Sequence, residues 1–456
     1  MKAFKSFISP IFFGTLLGLS WLEFENFGWL VFIGIGYIFQ LQENKKKFQK
    51  IFLEVLLFLL PWFTIACFYL NTYSFEVYGF AVGGFTIIYG LTLLINCFIT
   101  RNIGLVRGLI STFTFFPAIE YLQGEYFPMV PWFSLANSLV NFQFTDFILP
   151  IAGSSGVTLF ILVVSYLLFE FAQAILKVKK LNPKKALLLV PFIIIWLNSN
   201  KQFTSNSTEK LIVIQPQTRP NKTPNFKQIH KTLDDLNDSQ IEESTILFPE
   251  SFVKLPADQN NKDCKNLISF LNKNKADFLL GIVNEDPKNY TNQIVNQKSK
   301  ILYEKTKLVP IVECPIFSTL NKEFKNEKNI AICFESIFPN YFKENSNNQN
   351  LFFVFTNDVW FQNTSAYLHH ALLLKNRALE NGITIIRIAN TGLSGVFYPN
   401  GNMELLPKEK IINQIVVTTM HSKTSFYKNG DVLGRIAVFT SLFLLLFAFV
   451  KHQKSE

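Results

Sequence analysis

Hydrophobic and polar positions divide the chain into three stretches. Up to about residue 198 it is a succession of apolar runs separated by short polar breaks. From 199 to 432 it turns polar and rich in Asn and Lys, with its apolar residues gathered into short runs. One more apolar run then covers 433–450, ahead of a basic tail. A helix needs about 20 mainly apolar residues to cross a bilayer. On that measure spans are expected near 6–22, 27–41, 51–70, 78–99, 104–122, 147–170, 185–198 and 433–450, of which 27–41 and 185–198 are short. A signal peptide would account for 6–22 alone. No small-residue cleavage site follows it, however, and further apolar runs come directly after.

The middle stretch alternates two periods. Strand-like runs stand at 211–214, 245–248, 278–283, 330–333, 351–356, 383–388 and 395–397, and a hairpin-like pair at 293–295 and 301–303. Helical patterns occupy 225–243, 262–274 and 364–381, the last ending at Gly382. Strand and helix in alternation predict an α/β domain with buried sheets, and its size suffices for its own core. The expected organisation is a bundle of about seven helices over 1–198, a soluble domain over 199–432 and a final helix with a tail over 433–456. The Ser/Asn/Thr-rich segment 199–209 reads as the linker.

Charge orients the bundle. Lys2 and Lys5, then Lys45, Lys46, Lys47 and Lys50, Arg101 and Arg107, Lys177, Lys179, Lys180, Lys184 and Lys185, and finally Lys451 and Lys454 mark one side. The alternate breaks at 23–26, 71–77 and 123–146 hold no Lys or Arg. Positive charge collects on the cytoplasmic side, so both termini are expected in the cytoplasm and 199–432 outside. The net charge of +10 is thus largely topological, and no nucleic-acid motif accompanies it. The few ionisable residues inside the spans, mainly Glu54, Glu120 and Glu170, argue against a channel or transporter.

Five cysteines are present. Cys67 and Cys97 fall in spans and read as small apolar packing residues. Cys264, Cys314 and Cys333 fall in the external domain, and an odd number leaves at least one thiol free. The sequence does not decide whether Cys264 and Cys314 are bridged. No Cys/His metal spacing occurs, so neither metal nor cofactor is expected.

Three residues near ends of strand-like runs carry candidate chemistry. Cys333 closes the run 330–333, where a thiol can serve as nucleophile and form a thioester. A lone cysteine there is otherwise a core residue. Glu250 ends Ile246-Leu247-Phe248-Pro249 and suits a general base; its plainer reading is a surface or capping carboxylate. Lys305 precedes Leu308-Val309-Pro310 and suits stabilisation of an oxyanion, with Lys307 as competitor and an exposed hairpin lysine as the plainer reading. Glu, Lys and Cys in this order form the arrangement of a nitrilase-type amidase site.

The order and spacing of several further blocks resemble the apolipoprotein N-acyltransferase family, nitrilase-superfamily enzymes of the bacterial inner membrane. Pro249-Glu250 matches the family's Pro-Glu strand end. Lys305, Leu308, Val309, Pro310 and Glu313 match its Lys-x-x-Leu-Val-Pro-x-x-Glu block, and Cys333-Phe334-Glu335 its nucleophile elbow. Asn357, Asp358, Trp360 and Phe361, Arg377 to Glu380, Arg387 with Asn390, Thr391 and Gly392, and Pro131-Trp132 match the remaining blocks. The chain departs from the pattern at Ile311-Val312, at Phe334 where tyrosine is common, and in a short arm over 315–328. Phe226 stands nearest the place of a loop tryptophan.

The resemblance implies an αββα nitrilase-like sandwich facing the periplasm. Glu250 would be the base, Lys305 the oxyanion-stabilising cation and Cys333 the nucleophile. Glu313 and Glu335 would orient the lysine or the substrate amine. Asn292 would line the pocket, Phe334 and Asn390 would belong to the site's surroundings, and Trp360, Phe361 and Trp132 would form an apolar mouth. The implied reaction passes an acyl chain from a phospholipid, expected to be phosphatidylethanolamine, through Cys333 to the α-amino group of a diacylglyceryl-cysteine lipoprotein. A monomer acting within the membrane is expected. A membrane-tethered amidase for small amides is the alternative enzyme, and a lipoprotein-binding module with a degenerate site the non-enzymatic one.

Overall fold

The structure is a computed structural model that describes residues 2–43, 47–126, 130–176, 178–199, 203–219, 222–236, 238–286, 290–313, 329–346, 350–361 and 364–454. Lys45, Lys46, Lys177, Cys314 and the arm over 315–328 lie outside these residues. The chain forms two compact units. One comprises Met1–Asn200 with Lys428–Glu456, the other Lys201–Tyr427.

The first unit is helical. Among the described residues, five helices are long and apolar enough to cross a membrane: Phe24–Glu43, Phe48–Ala66, Phe75–Ile103, Leu149–Ile175 and Val432–Gln453. The helix Lys2–Leu22 has a shorter apolar part, Ile8–Leu22. Leu105–Glu125 is long enough but less apolar. The run expected to span 185–198 is a tight turn of helix, Pro183–Leu189, leading into the eight-residue helix Val190–Leu197. At their usual rises per residue the two together reach roughly 26 Å, just short of a bilayer core.

Two buried carboxylates inside this unit have defined partners. Glu120 is buried and holds the segment after Pro131-Trp132. It accepts from Ser134 Oγ at 2.7 Å, from the Leu135 amide at 2.8 Å and from Thr158 Oγ1 at 2.5 Å. Glu170 pairs with Lys185 at 2.8 Å. Trp132 is buried against Tyr69, with ring centroids 5.8 Å apart.

Among its described residues the second unit carries twelve strands, β1 Thr204–Ile214, β2 Thr245–Leu247, β3 Val253–Leu255, β4 Asp277–Asn284, β5 Thr291–Asn296, β6 Ile301–Glu304, β7 Ile330–Ile332, β8 Leu351–Thr356, β9 Thr384–Ala389, β10 Gly395–Phe397, β11 Met403–Leu405 and β12 Ile412–His421. One sheet runs β12-β1-β2-β4-β5-β6, with β3 also paired to β4. The other runs β11-β10-β9-β8-β7. Both are mixed: β1, β2 and β4 are parallel neighbours, as are β7, β8 and β9, while the antiparallel pairs come from the successive strands β4-β5-β6 and β9-β10-β11 and from β12 against β1. Buried parallel strands need apolar residues on both faces, and β9 is buried at every position.

Helices Phe226–Asp234 and Lys262–Lys273 cover the first sheet. Phe226, Ile229, Leu233, Leu267 and Leu271 pack with Ile212, Ile246, Phe248, Phe278 and Leu280. Asn225 and Asn261 cap these helices by accepting backbone N–H bonds, each worth about 1 kcal/mol. The helical pattern over 225–243 is two helices, Phe226–Asp234 and Asp238–Glu242. Phe226 is a core residue, edge-on to Phe252, rather than a loop aromatic. The helix Ala366–Asn381 packs against β9, β10 and the Cys333–Ile337 turn, and every described position but Tyr367 and Leu368 is buried.

Candidate active site

Glu250 lies just past β2, where the chain leaves the sheet beside β4. The close approach depends on Gly281, where a Cβ would stand 2.1 Å from the Pro249 carbonyl oxygen. Lys305 follows β6, and its backbone N–H donates to the Asn292 carbonyl of β5 at 2.8 Å. The two side chains meet in a dry contact: Lys305 Nζ is 3.2 Å from Glu250 Oε1 and 2.8 Å from Glu313 Oε1, with the Lys305 side chain wholly inaccessible. Asn292 Nδ2 donates to Glu250 Oε1 at 2.8 Å. Tyr290 donates to Glu313 Oε1 at 3.0 Å, and the Val309 amide to Glu313 Oε2 at 2.8 Å.

Cys333 ends β7 and opens the tight helical turn Cys333–Ile337. Its φ is +48°, a left-handed conformation that non-glycine residues adopt at a cost and that clusters at functional sites. Such strain persists only where the surroundings over-determine it. Glu335 supplies one restraint. It is fully buried, and its Oε2 accepts from the Ile332 amide at 2.8 Å. Its Oε1 accepts from the Thr306 and Lys307 amides at 2.8 and 3.1 Å and from Tyr303 at 2.7 Å. Glu335 therefore ties the loop carrying Lys305 to the elbow carrying Cys333.

The electrostatics follow from this burial. Burial raises the Cys333 thiol and Glu250 adds to that, while Lys305 opposes, so the resting sulfur keeps its proton. Burial also raises the Glu250 carboxyl, Lys305 counters it and Glu313 reinforces it. Burial alone would lower Lys305, but the Glu250 and Glu313 carboxylates outweigh it and hold the ammonium well above its ordinary range. The ammonium keeps its charge, and Glu250 is a carboxylate less acidic than usual.

A second buried group stands beside the sulfur. Ligand atoms of Cys333, Asp358 and His370 lie within 4.8 Å of one another. They do not suit a cation: His370 Nδ1 is 3.0 Å from Asp358 Oδ1, its Nε2 is 3.0 Å from Ser336 Oγ, and Arg387 already pairs with Asp358 Oδ2. Nothing in the residue pattern beyond the Asn357-Asp358 and Arg387 blocks pointed to this group, and a histidine inside a helix gives no signal of its own.

The remaining expected residues fall in different places. Asn390 braces two loops, donating to Asn357 Oδ1 at 3.0 Å and accepting from the Thr218 amide at 3.2 Å. Phe334 packs edge-on to Phe338, and Phe361 edge-on to His370. Trp360 is 47% exposed. Trp132 belongs to the helical unit. Cys264 is buried in the first sheet's core.

Comparison with known proteins places these features in a family. The profile of the apolipoprotein N-acyltransferase N-terminal domain matches residues 13–167, and that of carbon-nitrogen hydrolase matches 212–424. The chain belongs to the apolipoprotein N-acyltransferase family. An apolipoprotein N-acyltransferase of Pasteurella multocida is 24% identical over 98% of this chain and 95% of its own length. That of Haemophilus ducreyi is 26% identical over 80% of each. Among solved structures, a CN-hydrolase superfamily protein of Xanthomonas campestris matches with a TM-score of 0.34 and 14% identity, over 46% of this chain and 91% of that one. In family terms, the soluble unit is the nitrilase-like half and the apolar helices mark an inner-membrane protein.

Proposed function

We propose that the protein N-acylates lipoproteins by a two-step transfer through Cys333. The observation that carries this reading is the buried Glu250–Lys305–Glu313 contact, in the same unit as a cysteine held at positive φ. In the first step the Cys333 sulfur attacks an ester carbonyl of a phospholipid while Glu250 takes the thiol proton. Lys305, with the backbone N–H that follows Cys333, stabilises the oxyanion. As the tetrahedral state collapses, Glu250 returns the proton to the departing lysophospholipid oxygen, and an acyl thioester remains.

In the second step the α-amino group of a diacylglyceryl-cysteine lipoprotein attacks the thioester. Glu250 accepts the amine proton, the C–S bond breaks and the sulfur regains the proton. A lysine that never loses its charge suits both steps, since each passes through an oxyanion. Both substrates are anchored by acyl chains, and moving such a chain into water costs about 0.8 kcal/mol per methylene. An enzyme with its own membrane helices avoids that cost. A hydrolase of small amides gains nothing from several membrane helices, which is why that alternative is not favoured.

Phosphatidylethanolamine is the donor we expect, with the enzyme a monomer, its termini cytoplasmic and its soluble unit periplasmic. The test is intact mass spectrometry after incubation with phosphatidylethanolamine in detergent, wild type beside C333A. A hydroxylamine-labile acyl adduct on wild type alone is expected. A folded wild type that stays unmodified with phosphatidylethanolamine and with other phospholipids would overturn the reading.

A further inference from the structure

The groups behind the sulfur meet at Asp358. Its Oδ1 accepts from Thr356 Oγ1 at 3.1 Å and from His370 Nδ1 at 3.0 Å, and its Oδ2 pairs with Arg387. Gly392, at φ +94°, closes over it; a Cβ there would lie 2.3 Å from Asp358 Oδ2. Two branches then run from Asp358 to the nucleophile. One passes through His370 to Ser336, whose hydroxyl donates to the Cys333 carbonyl at 2.6 Å. This branch holds the elbow's backbone.

The other branch passes through Thr356 toward the sulfur itself. Parallel pairing of β7 with β8 sets Ile332 beside Phe355, so the next residues, Cys333 and Thr356, leave their strands abreast. Thr356 is fully buried, and the Cys333 sulfur lies within 4.8 Å of the Asp358 carboxylate to which the Thr356 hydroxyl bonds. A hydroxyl has one proton to give. While the sulfur is a thiol, it has no need of that proton, and Asp358 takes it. A thiolate needs a donor, and Asp358 keeps His370 and Arg387 if Thr356 turns away.

We propose that Thr356 is the switching donor of the nucleophile: its O–H bonds to Asp358 in the resting enzyme and turns to the Cys333 sulfur as Glu250 removes the thiol proton. No proton changes owner at Thr356. The thiol proton goes to Glu250, and the hydroxyl only exchanges one acceptor for another. The inference rests on Cys333 being the nucleophile of the transfer above.

The experiment follows alkylation of Cys333 by iodoacetamide across a pH series in the full-length protein, read by intact mass, with C333A correcting for other thiols. T356V keeps the shape and removes the hydroxyl; T356S keeps the hydroxyl. T356V is expected to slow alkylation at neutral pH by roughly 10- to 100-fold and to move its inflection upward, with T356S restoring the wild-type curve. Acylation by phosphatidylethanolamine falls in parallel. A folded T356V with the wild-type curve, or a T356S that behaves as T356V, overturns the proposal. If neither T356V nor T356A folds, the hydroxyl is structural and the proposal fails. A shifted T356V curve with no acyl adduct on wild type would instead sink the acyltransferase reading and leave the role of Thr356 standing.

Discussion

Lys305 Nζ lies nearer to Glu313, at 2.8 Å, than to Glu250, at 3.2 Å. Glu313 is thus an equal holder of the cation, and it also reaches the base: its charge is one cause of the raised Glu250 carboxyl. E313Q removes that repulsion and lets Lys305 draw closer to Glu250. Because Glu250 must be ionised to act, acylation in wild type should fail on the acid side at a pH above the ordinary carboxylate range. In E313Q that acid limb should move to lower pH, while the maximal rate drops through the loosened lysine. A pH series of single-turnover acyl-adduct formation reads both effects, and an acid limb that stays in place or moves up would count against this coupling.

Glu335 engages its carboxylate with the Ile332, Thr306 and Lys307 amides and with Tyr303. Replacing it by Gln turns one acceptor oxygen into a donor facing the Ile332 N–H, which already needs an acceptor. We expect E335Q to lose about 1–3 kcal/mol of stability and to slow acyl-adduct formation, since the elbow and the Lys305 loop are no longer tied. Thermal unfolding of the purified variant checks the first part. An unchanged melting temperature would mean that the turn holds itself.

Arg387 and Asp358 are both fully inaccessible. Removing one partner of such a pair costs about 3–5 kcal/mol, whereas replacing both by neutral groups costs much less. R387M should therefore be poorly folded, D358N somewhat less so, and the double variant D358N/R387M more stable than R387M. Folded yield and melting temperature across the four proteins give the coupling. Additive losses would show that the charges are not interdependent.

In the helical unit, E120A leaves Ser134 Oγ, the Leu135 amide and Thr158 Oγ1 without their acceptor. Each orphaned buried donor costs about 1–3 kcal/mol. The segment from Pro131 to Leu139 should become sensitive to limited proteolysis in detergent, and E120Q should restore part of its resistance. Equal digestion of E120A and wild type would rule out this anchoring.

How much of this was legible in the residues depends on what kind of signal each feature leaves. Glu250 and Cys333 stand out because each ends an apolar run, and Lys305 because it precedes one; a charged or nucleophilic group at such a boundary is conspicuous. Asn292 was placed near them only by the family resemblance. Thr356, His370 and Tyr290 leave no such trace, because a threonine, histidine or tyrosine on a buried element looks like any other. β12 went unread for a physical reason. Its polar residues come in adjacent pairs, Asn413-Gln414 and Thr418-Thr419, so the half-exposed strand shows no alternation and resembles a loop. β3 and β11 are three residues each, too short to show a period. The helix Ala366–Asn381 was visible as a helix, but its burial was not, because it carries His, Lys, Arg and Glu. In the fold those side chains are buried, with Arg377 donating to the Ile337 carbonyl and pairing with Glu380.

Asn292 has one more consequence. Its carbonyl accepts the Lys305 backbone N–H, and its amide donates to Glu250. Glu250 and Lys305, 55 residues apart in the chain, are thereby gauged from a single strand position. Anyone redesigning the enzyme for a longer or bulkier donor can treat that half of the machinery as a fixed module, and concentrate sequence variation on the surfaces around it.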